Sequence, residues 1–376
     1  MRTAKLSTVW VLVLFAGLIA IGGVIRRHLA SAHSARSAHG ASETPAGGPA
    51  AKDMVQTQLQ LVAIPEEQPS RSETGAVSPD QSPAPATVET FPRPVANWLE
   101  AQIELARRGF SSGSIDGVVG SQSISALKAF QESAGLPVTG ALDPATRASL
   151  ALATPPIAPV TLTAEDLAGL EALSPTWLGK SQQTALAYEN ALEMVAERTH
   201  AHPALIQQLN PTVDWSVITP ETAVSAPAVG HVAIRGKAFQ LHISLDDHVL
   251  EVRDDSGNLI AHFPVSIARD VEKRPAGELR VTVVIPDPNY TFDPDVFPES
   301  EDARELGRRL IIPPGPNNPV GVAWIGLDRP GYGIHGTPFP EQVGRTESHG
   351  CFRLANWDAL TLLDLAWVGL PVIVEP

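Results

Sequence analysis

The residues best suited to chemistry lie near the C-terminal end, in two blocks: Ile334-His335-Gly336-Thr337, and then Ser348-His349-Gly350-Cys351-Phe352-Arg353. Cys351 is the one cysteine among 376 residues, with a histidine two positions upstream and another sixteen upstream, each followed by glycine. A lone cysteine forms no intrachain disulfide and no multi-cysteine metal site. It is then a buried apolar filler, a bridge between molecules, or a reactive thiol. Side chains two apart on an extended segment point to the same side, so His349 can share a face with Cys351. Gly350 lets backbone approach closely, as an oxyanion hole of main-chain N–H donors requires. A thiol near an imidazolium loses its proton more readily and becomes a nucleophile. The competing reading is a glycine turn with two solvated histidines and an incidental cysteine. Spacing alone does not choose between His335 and His349 as the partner of the thiol.

His-Gly-Thr followed by Ser-His-Gly-Cys-hydrophobic-Arg closely resembles the active-site signature of the L,D-transpeptidases, the YkuD-like catalytic domain of bacterial cell-wall enzymes. The resemblance runs roughly from Val229 to Glu375. It takes in Pro313-Pro314-Gly315-Pro316-Asn317-Asn318-Pro319, Trp324-Ile325-Gly326-Leu327 and Gly369-Leu370-Pro371-Val372. One departure is Arg274-Pro275-Ala276-Gly277, where the family usually has Thr-Pro-x-Gly.

The resemblance implies acyl transfer. Cys351 would attack the bond between the third and fourth residues of a peptidoglycan stem tetrapeptide, release D-alanine and form a thioester. An amine on another stem, or on a wall-attached protein, would then take the acyl group and cross-link the wall. The resemblance gives proton transfer to His335 and the oxyanion site to His349 and Gly350, with the Cys351 N–H as a further donor. Arg353 would engage a substrate carboxylate or fix the loop. Ser348 and Thr337 would hold the histidines by hydrogen bonds, with Gly336 supporting the same site. With water as acceptor the same site would act as a carboxypeptidase or endopeptidase. A wall-binding scaffold with a vestigial catalytic domain is the third reading, and the complete set of Cys351, His349 and His335 counts against it. No cofactor is implied.

The elements that must position these residues follow from the chain in order. Residues 1–30 read as a signal anchor or signal peptide: Arg2 and Lys5 precede an uncharged run from Val9 to Ile25 that ends at Arg26-Arg27. An uncleaved anchor is preferred, which puts the rest outside the cytoplasm, in the periplasmic or extracytoplasmic envelope. Residues 31–93 are rich in Pro, Ala and Ser without periodicity, the composition of a disordered tether. Residues 94–152 carry three helix patterns. Leu99, Ile103 and Ala106 recur ahead of a C-terminal Gly109, Ser121 can cap a second helix ending near Gly135, and Asp143-Pro144 starts a third. The run from Gly109-Phe110 through Ile115-Asp116-Gly117 and Ala126-Leu127-Lys128-Ala129-Phe130-Gln131 to Gly140 resembles the peptidoglycan-binding type 1 domain, a small three-helix module. Ser123 stands where that family usually has Thr.

Residues 153–228 read as a linker followed by a helix over 187–200 and a second helix stopped at Asn210-Pro211. Part of this stretch resembles a LysM wall-binding module, and a spacer packed on the catalytic domain is the alternative. Residues 229–376 form the catalytic domain. Strands are expected at Val232–Ile234, Phe239–Ile243, His248–Val252 and Leu259–Val265, each bounded by turn residues. The fold class is therefore multi-domain: a three-helix α module, then a mainly-β domain that the resemblance shapes as a β-sandwich or partial barrel. The residues between Asn356 and Gly369 are expected to form a supporting helix.

A formal charge of −14 and pI near 5.2 argue against nucleic-acid partners. No phosphate-cradling glycine loop occurs. Of eleven histidines none pairs with an acidic ligand at close helical spacing, so no metal is expected, and His231, His242, His248 and His262 read as ordinary strand or turn residues.

Overall fold

The computed structural model describes residues 89–376 apart from 233, 296–306 and 346–349. The expected membrane segment and all but the last few tether residues lie outside the described residues. Among those described, no helix is long and apolar enough to cross a membrane.

Three helices open the described chain: α1 (Trp98–Arg107), α2 (Ser121–Ser133) and α3 (Pro144–Ser149). Asn97 caps α1 by accepting from the Glu100 N–H at 3.0 Å, and Asp143 caps α3 ahead of a first-position proline. Gly109 lies just past α1 with φ +83°, the left-handed turn expected of a helix end. The second cap differs from expectation. Ser121 is already the first helical residue of α2, and Gly120 is the cap, with no side-chain bond. Leu105, Leu127, Phe130 and Leu150 close the core of this module, with Phe110 edge-on to Phe130 at 5.8 Å.

The next segment pairs β1 (Ile157–Thr161) with β2 (Ala223–Pro227) antiparallel. Between them lie α4 (Ala164–Ala168), α5 (Trp177–Lys180), α6 (Ala191–Arg198) and α7 (Pro203–Leu209). The helix expected over 187–200 is trimmed to α6 because the Asn190 side chain accepts from Glu193 N and starts it there. Met194, Val195, Leu205, Ile206 and Val224 form its core together with Ile103 and Ile115 of the first module. The two segments therefore share one apolar interior.

The remaining chain builds one eight-stranded mixed sheet. Its strands are β3 (Gln240–Ser244), β4 (Val249–Arg253), β5 (Leu259–Pro264), β6 (Gly277–Pro286), β9 (Ala323–Leu327), β10 (Gly333–His335), β11 (Phe352–Arg353) and β12 (Pro371–Glu375). A separate hairpin pairs β7 (Tyr290–Phe292) with β8 (Leu310–Ile312). The sheet order is β11-β10-β9-β6-β12-β3-β4-β5. The ten-residue β6 bends it: Gly277–Arg280 pair with β12, Val281–Pro286 pair with β9, and the register slips between Val281 and Val283. Of the two shapes expected, the partial barrel is realised.

Leu241, Ile243, Leu250, Val252, Phe263, Ile325, Ile334, Phe352 and Val372 face one interior, covered by Ala359 and Leu362 of α8 (Asn356–Leu365). Each such side chain contributes about 1.5–3 kcal/mol on burial. Of the strand expected at Val232–Ile234, only the two end residues are described. Val232 and Ile234 lie outside any strand, and Ile234 instead fills the space over Gly109. The open edge at β5 is covered by the first module, where Ser111 N donates to His262 O at 2.8 Å and His262 N to Gly109 O at 2.9 Å.

Candidate active site

The two sequence blocks meet at the β11 end of the sheet. β10 and β11 are parallel, with Ile334 opposite Phe352 and His335 opposite Arg353. Paired residues share a face of a sheet and residues two apart return to it, so this register sets His335, Arg353 and Cys351 on one side. β9 runs antiparallel to β10 with Trp324 opposite His335. The indole stacks on the imidazole, centroids 5.6 Å apart and planes 19° from parallel. Gly333 permits this, because a Cβ there would collide with the Trp324 ring. Cys351 packs in the same small cluster as Trp324 and Val320, with Tyr290 against it.

His335 is 5% exposed, and its Nδ1 lies 2.6 Å from the Gly336 carbonyl oxygen. A carbonyl only accepts, so Nδ1 carries the proton, and in the neutral ring Nε2 is left with its lone pair. Burial pushes the His335 pKa down to about 4. The Gly336 bond works against that shift, and the Arg353 charge adds to it. Cys351 is 9% exposed, and its Sγ donates to Gly331 O at 3.5 Å. Burial pushes its thiol up to about 11, against the pull of the Gly333 backbone and the Arg353 charge. The resting pair is thus a neutral thiol and a neutral imidazole. The expectation of a thiol acidified by an imidazolium does not match these two buried groups, because desolvation favours the neutral form of each.

Arg353 is half-buried, and its pKa is lowered by burial, with Cys351 and Tyr290 acting in the opposite sense. Its backbone exchanges two 2.9 Å bonds with Ser266. Tyr290 of the β7–β8 hairpin has its phenol held well above its ordinary range, by burial first and then by Cys351 and Asp293. Sequence reasoning passed over Tyr290. The only signal available was its rarity, as one of three tyrosines in the chain. The hairpin is gripped from outside the sheet, where Trp177 of α5 stacks on Phe292 at 4.5 Å and lies 6.1 Å from Tyr290.

Thr337 takes a different part from the one expected. Its hydroxyl accepts from Phe339 N at 3.3 Å and its N–H donates to Asn356 Oδ1 at 3.0 Å, so among the described residues it braces its own loop. Asn356, read from sequence only as part of a supporting helix, fills the space where Gly321 or Gly336 would carry a Cβ. At Gly350 a Cβ would meet, among the described residues, nothing nearer than Tyr332 at 3.9 Å. Ser348 and His349 lie outside the described residues. Among the described residues no group of three or more His, Cys, Asp or Glu is placed to hold a metal ion. His262 is fully buried and His242 Nε2 pairs with Glu375 at 3.0 Å.

Residues 238–374 match the family model described as "L,D-transpeptidase catalytic domain", and residues 95–150 match "Putative peptidoglycan binding domain". The chain is similar to "Putative L,D-transpeptidase YqjB" of Bacillus subtilis, 29% identical over 153 residues, which are 39% of this chain and 72% of the relative. It is also similar to "Putative L,D-transpeptidase YkuD" of Bacillus licheniformis, 23% identical over 49% of this chain and 93% of the relative. Among solved structures it aligns with an L,D-transpeptidase from Mycobacterium smegmatis at TM-score 0.29 and 19% identity, over 41% of this chain and 66% of that one.

Proposed function

Because residues 238–374 belong to the L,D-transpeptidase catalytic domain family and residues 95–150 to a peptidoglycan-binding family, we propose that this chain cross-links peptidoglycan through a thioester on Cys351. The observation that carries this reading is that Cys351 and the His335 ring both pack on Trp324, with the Nδ1–H of His335 spent on the Gly336 carbonyl.

His335 Nε2 takes the thiol proton as the sulfur attacks the carbonyl carbon between the third and fourth residues of a stem tetrapeptide. General-base transfer during attack suits a thiol that does not ionise beforehand. Negative charge develops on the carbonyl oxygen and is met by main-chain N–H donors at Gly350 and Cys351, with His349 shaping that loop. The C–N bond breaks, and His335 returns the proton to the departing D-alanine amine. An amine of a second stem, or of a wall-attached protein, then attacks the thioester carbon. His335 removes its proton and returns it to the departing sulfur. Arg353, a cation held in a half-buried position beside this site, binds a substrate carboxylate.

The module at 95–150 holds the glycan wall while the catalytic domain works on its stems, and the α6–α7 segment serves as a spacer packed on the catalytic domain. Such an enzyme acts outside the cytoplasm, anchored by residues 9–25. Incubating the purified chain with tetrapeptide stems and weighing the products tests the reading. A linked dimer with loss of D-alanine is expected. Shortened monomer alone would make water the acceptor, and unchanged stems would refute the activity.

A further inference from the structure

Asn356 stands at the start of α8 and is 1% exposed, and its two amide atoms face different partners. Oδ1 accepts from Thr337 N at 3.0 Å and from Val322 N at 3.4 Å. Nδ2 donates to Glu197 Oε1 at 3.0 Å and to Pro316 O at 3.0 Å. The Thr337 N–H and the Gly336 carbonyl belong to one planar peptide unit. Asn356 therefore holds one end of the plane whose other end receives His335 Nδ1. A carboxamide can present either its oxygen or its nitrogen, and only the oxygen accepts from Thr337. Something must orient it, and Glu197 Oε1 on the far side, which also accepts from the Tyr188 hydroxyl, takes the nitrogen there.

We propose that Glu197, which belongs to α6 and not to the catalytic sheet, is a positioning residue of the acyl-transfer site. By accepting from Asn356 it fixes the amide orientation, hence the Gly336–Thr337 peptide plane, and hence which ring nitrogen of His335 is free to take a proton. The inference rests on the Cys351–His335 reading given above.

Glu197 is itself held, its Oε1 also accepting from the Tyr188 hydroxyl at 3.1 Å. Other contacts dock this segment without it. Asn317 Nδ2 donates to Glu193 Oε1 at 2.6 Å and to Ala187 O at 2.9 Å, while Leu186 N donates to Pro314 O at 2.8 Å and Asn317 N donates to Leu186 O at 3.1 Å. Removing the Glu197 carboxylate therefore leaves α6 attached and changes what faces Asn356.

The test uses the full chain with Glu197→Met, which keeps side-chain length, and Glu197→Gln, whose carbonyl oxygen still accepts from Asn356. Two readouts are taken: steady-state release of D-alanine from tetrapeptide stems, and the rate of Cys351 alkylation by iodoacetamide across pH. Glu197→Met should lower kcat about tenfold with KM within about twofold. It should also slow alkylation around neutral pH, because a misassigned His335 tautomer cannot take the thiol proton. Glu197→Gln should behave as wild type in both. A Met variant with wild-type kcat and an unshifted alkylation profile overturns the proposal, as does a Gln variant impaired as much as Met. If the Met variant fails to fold, Glu197→Asp, which keeps the charge but falls one methylene short of Asn356, is held to the Met criteria. A wild-type chain that releases no D-alanine sinks the acyl-transfer reading alone, and the alkylation profiles still decide on Glu197.

Discussion

Ser111 donates a hydrogen bond to Asp358 Oδ2 at 2.9 Å across 247 residues of chain, joining the N-terminal helical module to α8 behind the candidate active site. Both residues are buried. Burial raises the Asp358 pKa to about 8, with the Ser111 bond opposing. The folded state therefore keeps a proton that the unfolded chain gives up near the ordinary carboxylate range. The sign follows: the contribution is most favourable below that range, and stability is lost as pH rises towards 8.

Asp358→Asn keeps the shape and the acceptor oxygen but has no proton to lose. Its Tm at pH 8 should exceed that of wild type by more than about 4 °C, while the two melt together near pH 4. Melting curves at both pH values check this. A variant destabilised at pH 8 would show that Asp358 is ionised in the fold.

Cys351→Ala should abolish the thioester and leave the melting curve close to wild type, and an alkylating agent should label one site in the wild-type chain. The midpoint of alkylation rate against pH should lie near 11 in the folded enzyme and near 8.5 in urea. His335→Ala should cut acylation by about 10²–10⁴-fold. His349→Ala should act mainly through the oxyanion loop. If instead loss of His349, and not of His335, changes the alkylation profile, the two roles are reversed.

Gly336→Ala places a methyl group where Asn356 Oδ1 sits, at a residue with an ordinary negative φ, so it tests the contact without backbone strain. The loop must shift to admit it. Acylation should fall by about 10²-fold, as expected of a misplacement near 1 Å, with a modest drop in Tm. Rates like those of wild type would mean that the peptide plane beside His335 tolerates movement.

Trp177→Ala removes the stack on Phe292 that ties the β7–β8 hairpin to α5. The aromatic pair contributes about 0.5–1.5 kcal/mol beyond its buried area. Hydrogen exchange at Phe292 and Ile312 should quicken while exchange in β3 and β4 stays slow. Uniform protection in the variant would show that the hairpin needs no support from the middle segment.

Local chemistry was enough to read much of this protein from its sequence. The Asp143-Pro144 helix start and the turn at Gly109 depend on a few neighbouring residues and are found where those residues put them, and the strand expected at Phe239–Ile243 is found one residue on, at Gln240–Ser244. The His335 and Cys351 blocks stood out through the resemblance of the whole His-Gly-Thr and Ser-His-Gly-Cys-hydrophobic-Arg signature, since spacing alone left an incidental cysteine open. Relations between distant segments could not be read that way. Ser121 lost the cap to Gly120, and Ile234 packs over Gly109 and lies in no strand, because packing overrode local preference. Asn356 and Glu197 are ordinary polar residues in helical patterns, and only the docking of α6 beside α8 sets them 3.0 Å apart. The charge states of Cys351 and His335 were likewise decided by the tertiary structure. Spacing suggested an ion pair, but burial penalises the charged form of each group, and burial is a property of the whole fold.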